Sequence, residues 1–217
     1  MRWAFEMTDK TKHHLRVMND IYVVSAKLGI KTFIWGGYAV DILHGKLTRE
    51  HSDLDCFTEN LVEHLDALKG EFERLGYSCK YLDDWWMLIL EKDSAEAAVF
   101  NSVRNVCGIA HWHHAGPQGT IFFPYEWLDQ KPHLFYGSSV YTFGAEMAYI
   151  TKVSPRIMSP NGEWQGREKD EADVAVLEQI ISSKGIDKDE IKKKVWAHCP
   201  WLYAKGHDEC FFPTMLS

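Results

Sequence analysis

Long apolar runs are missing from this 217-residue chain. None approaches the roughly 18 residues needed to cross a bilayer, and no basic start joins an apolar stretch as a secretory leader would, so a cytoplasmic protein with no membrane partner is expected. Positive charge is scarce as well: 24 Lys and Arg stand against 31 Asp and Glu, a formal net charge of -7. A broad nucleic-acid footprint neutralises phosphates with clustered cations, so this balance argues against one and points to a small or cationic partner. The one basic run, Lys192 to Lys194, reads as the solvated face of a helix. Cysteine is sparse and odd in number. Cys56, Cys79, Cys107, Cys199 and Cys210 form no CxxC pair, which fits reduced thiols in a cytosolic chain. Repeats are absent. What the chain does have is aromatics, with nine Trp, nine Tyr and eleven Phe, enough for a sizeable core and a pocket.

Periodicity divides the chain into elements. Thr8 to Leu28 carries Leu15, Met18 and Tyr22 at helical spacing, with Gly29 placed to end the helix. "KTFIW" reads as a short buried strand running into Gly36-Gly37, and a second helix over Tyr38 to Leu43 stops at Gly45. "DLDCF" is a strand, after which Thr58 with Glu59 suggests a helix N-cap and acidic first turn. Leu61, Leu65, Leu68, Phe72 and Leu75 then step by four and three, an amphipathic helix closed by Gly76. "WWMLILE" and "AAVFNSV" flank "KDSAE" as a hairpin. From Asn105 to Ser139 the sequence is rich in His, Gly, Pro and aromatics without a period, and an irregular binding region is expected. Helices resume with "AEMAYITK" and "REKDEADVAVLEQIIS", where Val174, Leu177 and Ile181 share a face, and a last one begins at Asp187 in a capping-box pattern with Glu190.

The chemistry concentrates in "WGGYAVDILHGKLTREHSDLDCF". Residues two apart on a strand leave the same face, so Asp53 and Asp55 project together while Leu54 and Cys56 fill the other side. Their mutual repulsion is relieved by a divalent cation, and Mg²⁺ in particular is held by one or two carboxylates plus substrate phosphates. Gly36 and Gly37, after a strand and before a helix, offer backbone N–H groups and a helix N-terminus to phosphate oxygens. Each signal alone is weak. Diglycine, Asp41, Gly45, Thr48-Arg49, His51 and Asp53-x-Asp55 in this order are together specific for a nucleoside triphosphate and its metal.

On these residues the chain resembles the nucleotidyltransferase superfamily related to DNA polymerase β, and most closely its aminoglycoside 2″- and lincosamide-modifying branch. The match is dense from Phe33 to Phe57, thin through "PQGTIFFPYEWL", and returns at "REKDEADVAVL". The resemblance implies an α+β nucleotidyltransferase fold, a small mixed sheet flanked by helices and followed by a helical C-terminal lobe. It divides the chain into a core (1–105), an irregular connecting region (106–142) and a helical lobe (143–217). It implies transfer of a nucleoside monophosphate, with ATP the expected donor, to a hydroxyl of a small molecule such as an antibiotic. By position, Gly36, Gly37, Thr48, Arg49, Lys152, Lys169 and Asp170 would meet the nucleotide, and Asp53 and Asp55 would hold Mg²⁺. Glu126 and Trp127 are candidates for the acceptor site, since an acid beside an aromatic suits a cationic sugar.

One departure stands out. The family's third carboxylate falls near Val99, which neither ligates a metal nor accepts a proton, and Glu96 is the nearest carboxylate on that arm, ahead of Glu91 and Asp93 across the turn. Loss of a general base typically removes about 10²–10⁴ of rate. Two other readings therefore stay open on the residues alone: a toxin-like nucleotidyltransferase acting on RNA or protein, and a nucleotide-binding module without transfer. His111, His113 and His114 near Cys107 lack a second Cys/His pair at finger spacing and read as loop or pocket histidines before a zinc site. Lys169 and Asp173 also fit an i, i+4 surface pair.

Overall fold

The structure, a computed structural model, describes residues 7–105, 108–112, 120–153, 168–191 and 194. Helix α1 (Asp9–Lys27) starts where the Thr8 side chain accepts the Thr11 N–H, and it buries Val17, Met18, Ile21 and Val24 in one stripe. Strand β1 (Thr32–Ile34) runs almost directly into α2 (Gly36–His44), which Gly45 closes in the left-handed region. After β2 (Leu54–Glu59) come α3 (Leu61–Arg74), β3 (Ser78–Leu82), and the hairpin of β4 (Met87–Lys92) and β5 (Ala95–Asn105). The expected N-cap at Thr58 is not one. Thr58 and Glu59 stay in β2 because that strand pairs along its length with β5, Thr58 hydrogen-bonds Thr32 at 2.6 Å, and Asn60 takes the cap position at φ 56.

The stretch expected to be irregular supplies four more strands: β6 (Gly108–Trp112), β7 (Thr120–Phe123), β8 (His133–Phe135) and β9 (Ser138–Thr142). Among the described residues, helices α4 (Ala145–Val153) and α5 (Glu168–Ser183) follow. A further helix starts behind Asp187, whose carboxylate caps it by accepting the Asp189 N–H at 2.8 Å, one residue short of the Glu190 partner that a capping box would use. The strands form one mixed sheet in the order β3-β4-β5-β2-β1-β9-β8, with β6 continuing from β5 and β7 from β6. β2 lies parallel to β5 and β1 parallel to β9; the remaining pairs are antiparallel.

Alternation along the strands sorts side chains into two layers. Leu54, Cys56, Ala97 and Val99 pack with the apolar stripes of α1 and α3. Phe33, Phe57, Phe100 and Phe143 face the opposite way, under α4 and α5. Helix α2 joins the layers, giving Tyr38 and Ile42 to the first and Val40 to the second. Burying each Phe stabilises the fold by about 1.5–3 kcal/mol relative to leaving it exposed. The alternation has a functional consequence, because it places Asp55 on the α4/α5 side of the sheet.

Candidate active site

The diglycine turn is fastened to β2 by its neighbour: the Trp35 N–H donates to the Asp55 carbonyl at 2.8 Å. Trp35 occupies the N-cap of α2, and its own side chain makes no cap bond to the first amides of that helix. Gly36 has φ +70°, where a Cβ is strained, and a Cβ there would lie 3.5 Å from Asp55 Oδ2. Gly37 is needed for a different reason. A Cβ on it would stand 2.4 Å from His51 Nδ1 and 2.5 Å from Arg49 Nη2, so both side chains lie directly against the turn.

A buried carboxylate holds the loop that brings them there. Asp41, on α2, accepts the Thr48 N–H at 3.1 Å and the Thr48 hydroxyl at 2.5 Å on Oδ1, and His51 Nε2 at 2.6 Å on Oδ2. Asp41 and His51 are both buried, and the Tyr38 ring lies over His51 with centroids 4.1 Å apart. Thr48, expected to meet the nucleotide, is thus committed to Asp41 and does not line the cleft. Tyr38 continues to His14 Nδ1, 2.9 Å from its hydroxyl. Burial pulls the His14 pKa down from 6.5 to about 4 and, together with the Asp41 charge, pushes the Tyr38 phenol up.

Across the loop stand the cations. Arg49 donates from Nε and Nη2 to the two oxygens of Asp173, at 3.2 and 2.9 Å. Lys152, on α4, reaches Asp170 Oδ1 at 2.7 Å and Asp173 Oδ2 at 2.9 Å. Asp173 is therefore buried between two cations and is not the surface partner of Lys169 that its spacing suggests. Trp35, Gly36, Gly37, Arg49, His51, Asp53, Asp55, Phe100, Thr151, Lys152 and Lys169 line one cleft of about 270 Å³. Seven of the expected residues thereby come together, four from the diglycine loop and DxD strand, Arg49, and two lysines from about a hundred residues or more further along the chain. Asp170 stands next to them as the Lys152 partner.

Other expectations are not brought there. Trp127 is 2% exposed and packs in the core beside Phe123, where its bulk and the short turn at Tyr125–Trp127 fix the chain ahead of β8. It is a core residue outside the lining of the cleft, and Glu126 beside it is exposed and also outside that lining. Glu96 pairs with Glu91 across the hairpin, exposed, and does not line the cleft. Val99 lies opposite Cys56 and turns into the α1/α3 layer; the neighbour of Asp55 on β5 is Ala98, with Phe100 next on that face. The third-carboxylate position thus reads as Ala98 or Phe100, one residue either side of Val99, and is apolar in both cases. Cys107, His113 and His114 lie outside the described residues, and for His111 only the backbone, in β6, is described.

Two carboxylates at the start of one strand, beside a helix N-terminus and two lysines, suit a hard cation shared with phosphates, and among the described residues no cluster of three ligating side chains competes with them. Asp41, His51 and Asp173 are the site residues that the sequence reading leaves unassigned; Asp41 and His51 belong to the motif, and their signal is polar residues spaced to fold back on a helix.

A family model described as Aminoglycoside-2''-adenylyltransferase matches residues 17–150. Solved structures give the same fold. The solution structure of the antibiotic-resistance factor ANT(2'')-Ia is 16% identical, with 92% of this chain and 98% of that one covered at a TM-score of 0.63. The same protein in complex with adenylyl-2''-tobramycin covers 87% and 98% at 0.61, with 16% identity. The lincosamide antibiotic adenylyltransferase LnuA bound to lincomycin is 18% identical, covering 80% and 98% at 0.56. Among curated proteins no match was found. No helix among the described residues is long and apolar enough to cross a membrane.

Proposed function

The chain belongs to the aminoglycoside-2''-adenylyltransferase family, and from that premise we propose that its cleft transfers AMP from ATP to a hydroxyl of a small-molecule acceptor of the aminoglycoside or lincosamide class. The observation that carries the reading is the convergence of Asp53, Asp55, Gly36 and Gly37 with Lys152 and Lys169 around a single cavity. In this reading the first amides of α2 and the diglycine backbone receive phosphate oxygens, which only a turn without side chains permits. Lys152, Lys169 and Arg49 balance the charge of the triphosphate tail and of the departing pyrophosphate. Asp53 and Asp55 would hold Mg²⁺, which supplies neutralisation of the phosphates and orientation of the attacking hydroxyl. The protein would act in the cytoplasm, where ATP is available.

Among the described residues that line the cleft, the acceptor hydroxyl meets no third carboxylate. That feature favours a slow enzyme relative to one with a positioned base, by about 10²–10⁴ in rate. It also gives a second reading its support: a module that binds the nucleotide without transferring it. Incubation with MgATP and a panel of aminoglycosides and lincosamides, followed by mass analysis of each acceptor, separates the two. An adenylylated acceptor together with released pyrophosphate is the expected result. MgATP binding without product across the panel would favour the module, and absence of MgATP binding would remove both readings.

A further inference from the structure

The cleft cations are not held independently. Asp173 Oδ2 receives both Arg49 Nη2 and Lys152 Nζ, each at 2.9 Å, and Oδ1 completes a two-pronged bond to the guanidinium. Asp173 is 2% exposed, so its charge is offset by these partners and not by water. Two like charges brought to one point repel unless an anion stands between them, and a flexible lysine without an anchor samples many rotamers. A carboxylate shared by both removes the repulsion and fixes both directions. The result is aimed at the phosphate seat, because Arg49 Nη2 lies against Gly37 and Lys152 lines the same cavity. After these bonds Arg49 Nη2 keeps one N–H, and Lys152, bonded to Asp170 and Asp173, keeps one of its three.

We infer that Asp173 is a positioning residue: from α5 it presents Arg49 and Lys152 as a fixed pair to the triphosphate tail. This rests on the reading of the cleft as a nucleotide site. The same residue couples the helical layer to the loop leading into Asp53, so the phosphate site is assembled only when α5 is seated.

The test compares MgATP with AMP by calorimetry on wild type and on Asp173→Asn, with folding checked by circular dichroism. Loss of charge-assisted bonds to two cations predicts about a tenfold or larger fall in MgATP affinity, with AMP affinity within about twofold of wild type. A merely structural role would lower both alike, and that outcome overturns the inference, as does unchanged MgATP binding. Should Asp173→Asn fail to fold, Arg49→Lys serves instead, since it keeps the charge and loses the fork; the same selective loss supports the inference and full MgATP affinity overturns it. Wild type that binds neither nucleotide sinks the cleft assignment itself, whereas a binding wild type with an indifferent Asp173→Asn sinks only the role of Asp173.

Discussion

Replacing Gly37 by alanine tests the close packing at the diglycine turn. The added Cβ would meet His51 Nδ1 at 2.4 Å, Arg49 Nη2 at 2.5 Å and His51 Cε1 at 2.6 Å, separations that real Cβ atoms do not show. Neither neighbour is free to yield. His51 is buried and held to Asp41 at 2.6 Å, and Arg49 is held to Asp173 by two bonds. Overpacking of this kind costs about 1–3 kcal/mol. For a chain of this size each kcal/mol lowers Tm by about 2–4 °C, so a fall of roughly 2–12 °C is expected. Because His51 and Arg49 must move off the phosphate seat, MgATP affinity should drop as well. Gly36→Ala is the control: its Cβ would stay 3.5 Å from Asp55, so its cost is the left-handed backbone alone, about 1–2 kcal/mol. Thermal melts and MgATP titrations on both variants decide the matter. If Gly37→Ala melts with wild type and binds MgATP equally well, the packing of His51 and Arg49 against the turn is refuted.

Three further outcomes are expected. Thr48→Val removes the hydroxyl bond to buried Asp41, costing about 1.5–3 kcal/mol in urea unfolding while leaving the KM for ATP close to wild type; a raised KM at unchanged stability would return Thr48 to the nucleotide. His14 is kept neutral by burial, with its pKa lowered from 6.5 to about 4. The unfolded chain takes up that proton first, so the contribution of His14 is present above about pH 6.5 and is lost as pH falls toward 4, on the order of 2 kcal/mol by pH 4.5. His14→Gln should lose less stability than wild type over that interval, and parallel losses would contradict the assignment. Trp127→Phe should lower Tm without changing which acceptors are used, since Trp127 sits in the core; an altered acceptor profile would restore it to the site.

Local chemistry was legible where it is local. Alternation in "DLDCF" gives the strand and brings both aspartates to one cleft, and Gly45 and Gly76 mark helix ends because both take positive φ. Reading fails where pairing is distant. β9 finds β1 across more than a hundred residues, Phe33 opposite Tyr141, and no period within Asn105 to Ser139 announces it. At Thr58 and Glu59 a good capping sequence yields to the β2–β5 ladder. Asp173 looks like a surface partner by helical spacing, yet the seating of α5 buries it against Arg49 and Lys152. Val99 shows the same limit at one-residue resolution, since only the register reveals that it faces away from Asp55.

The most direct check is MgATP binding to wild type and to the double variant Asp53→Asn/Asp55→Asn, by calorimetry with and without Mg²⁺. Wild type should bind in a Mg²⁺-dependent manner, and the double variant should fold normally while losing that dependence, since the repulsion between the two carboxylates is a cost to the free protein. Equal MgATP affinity in the two proteins would contradict the metal and nucleotide assignment at its root.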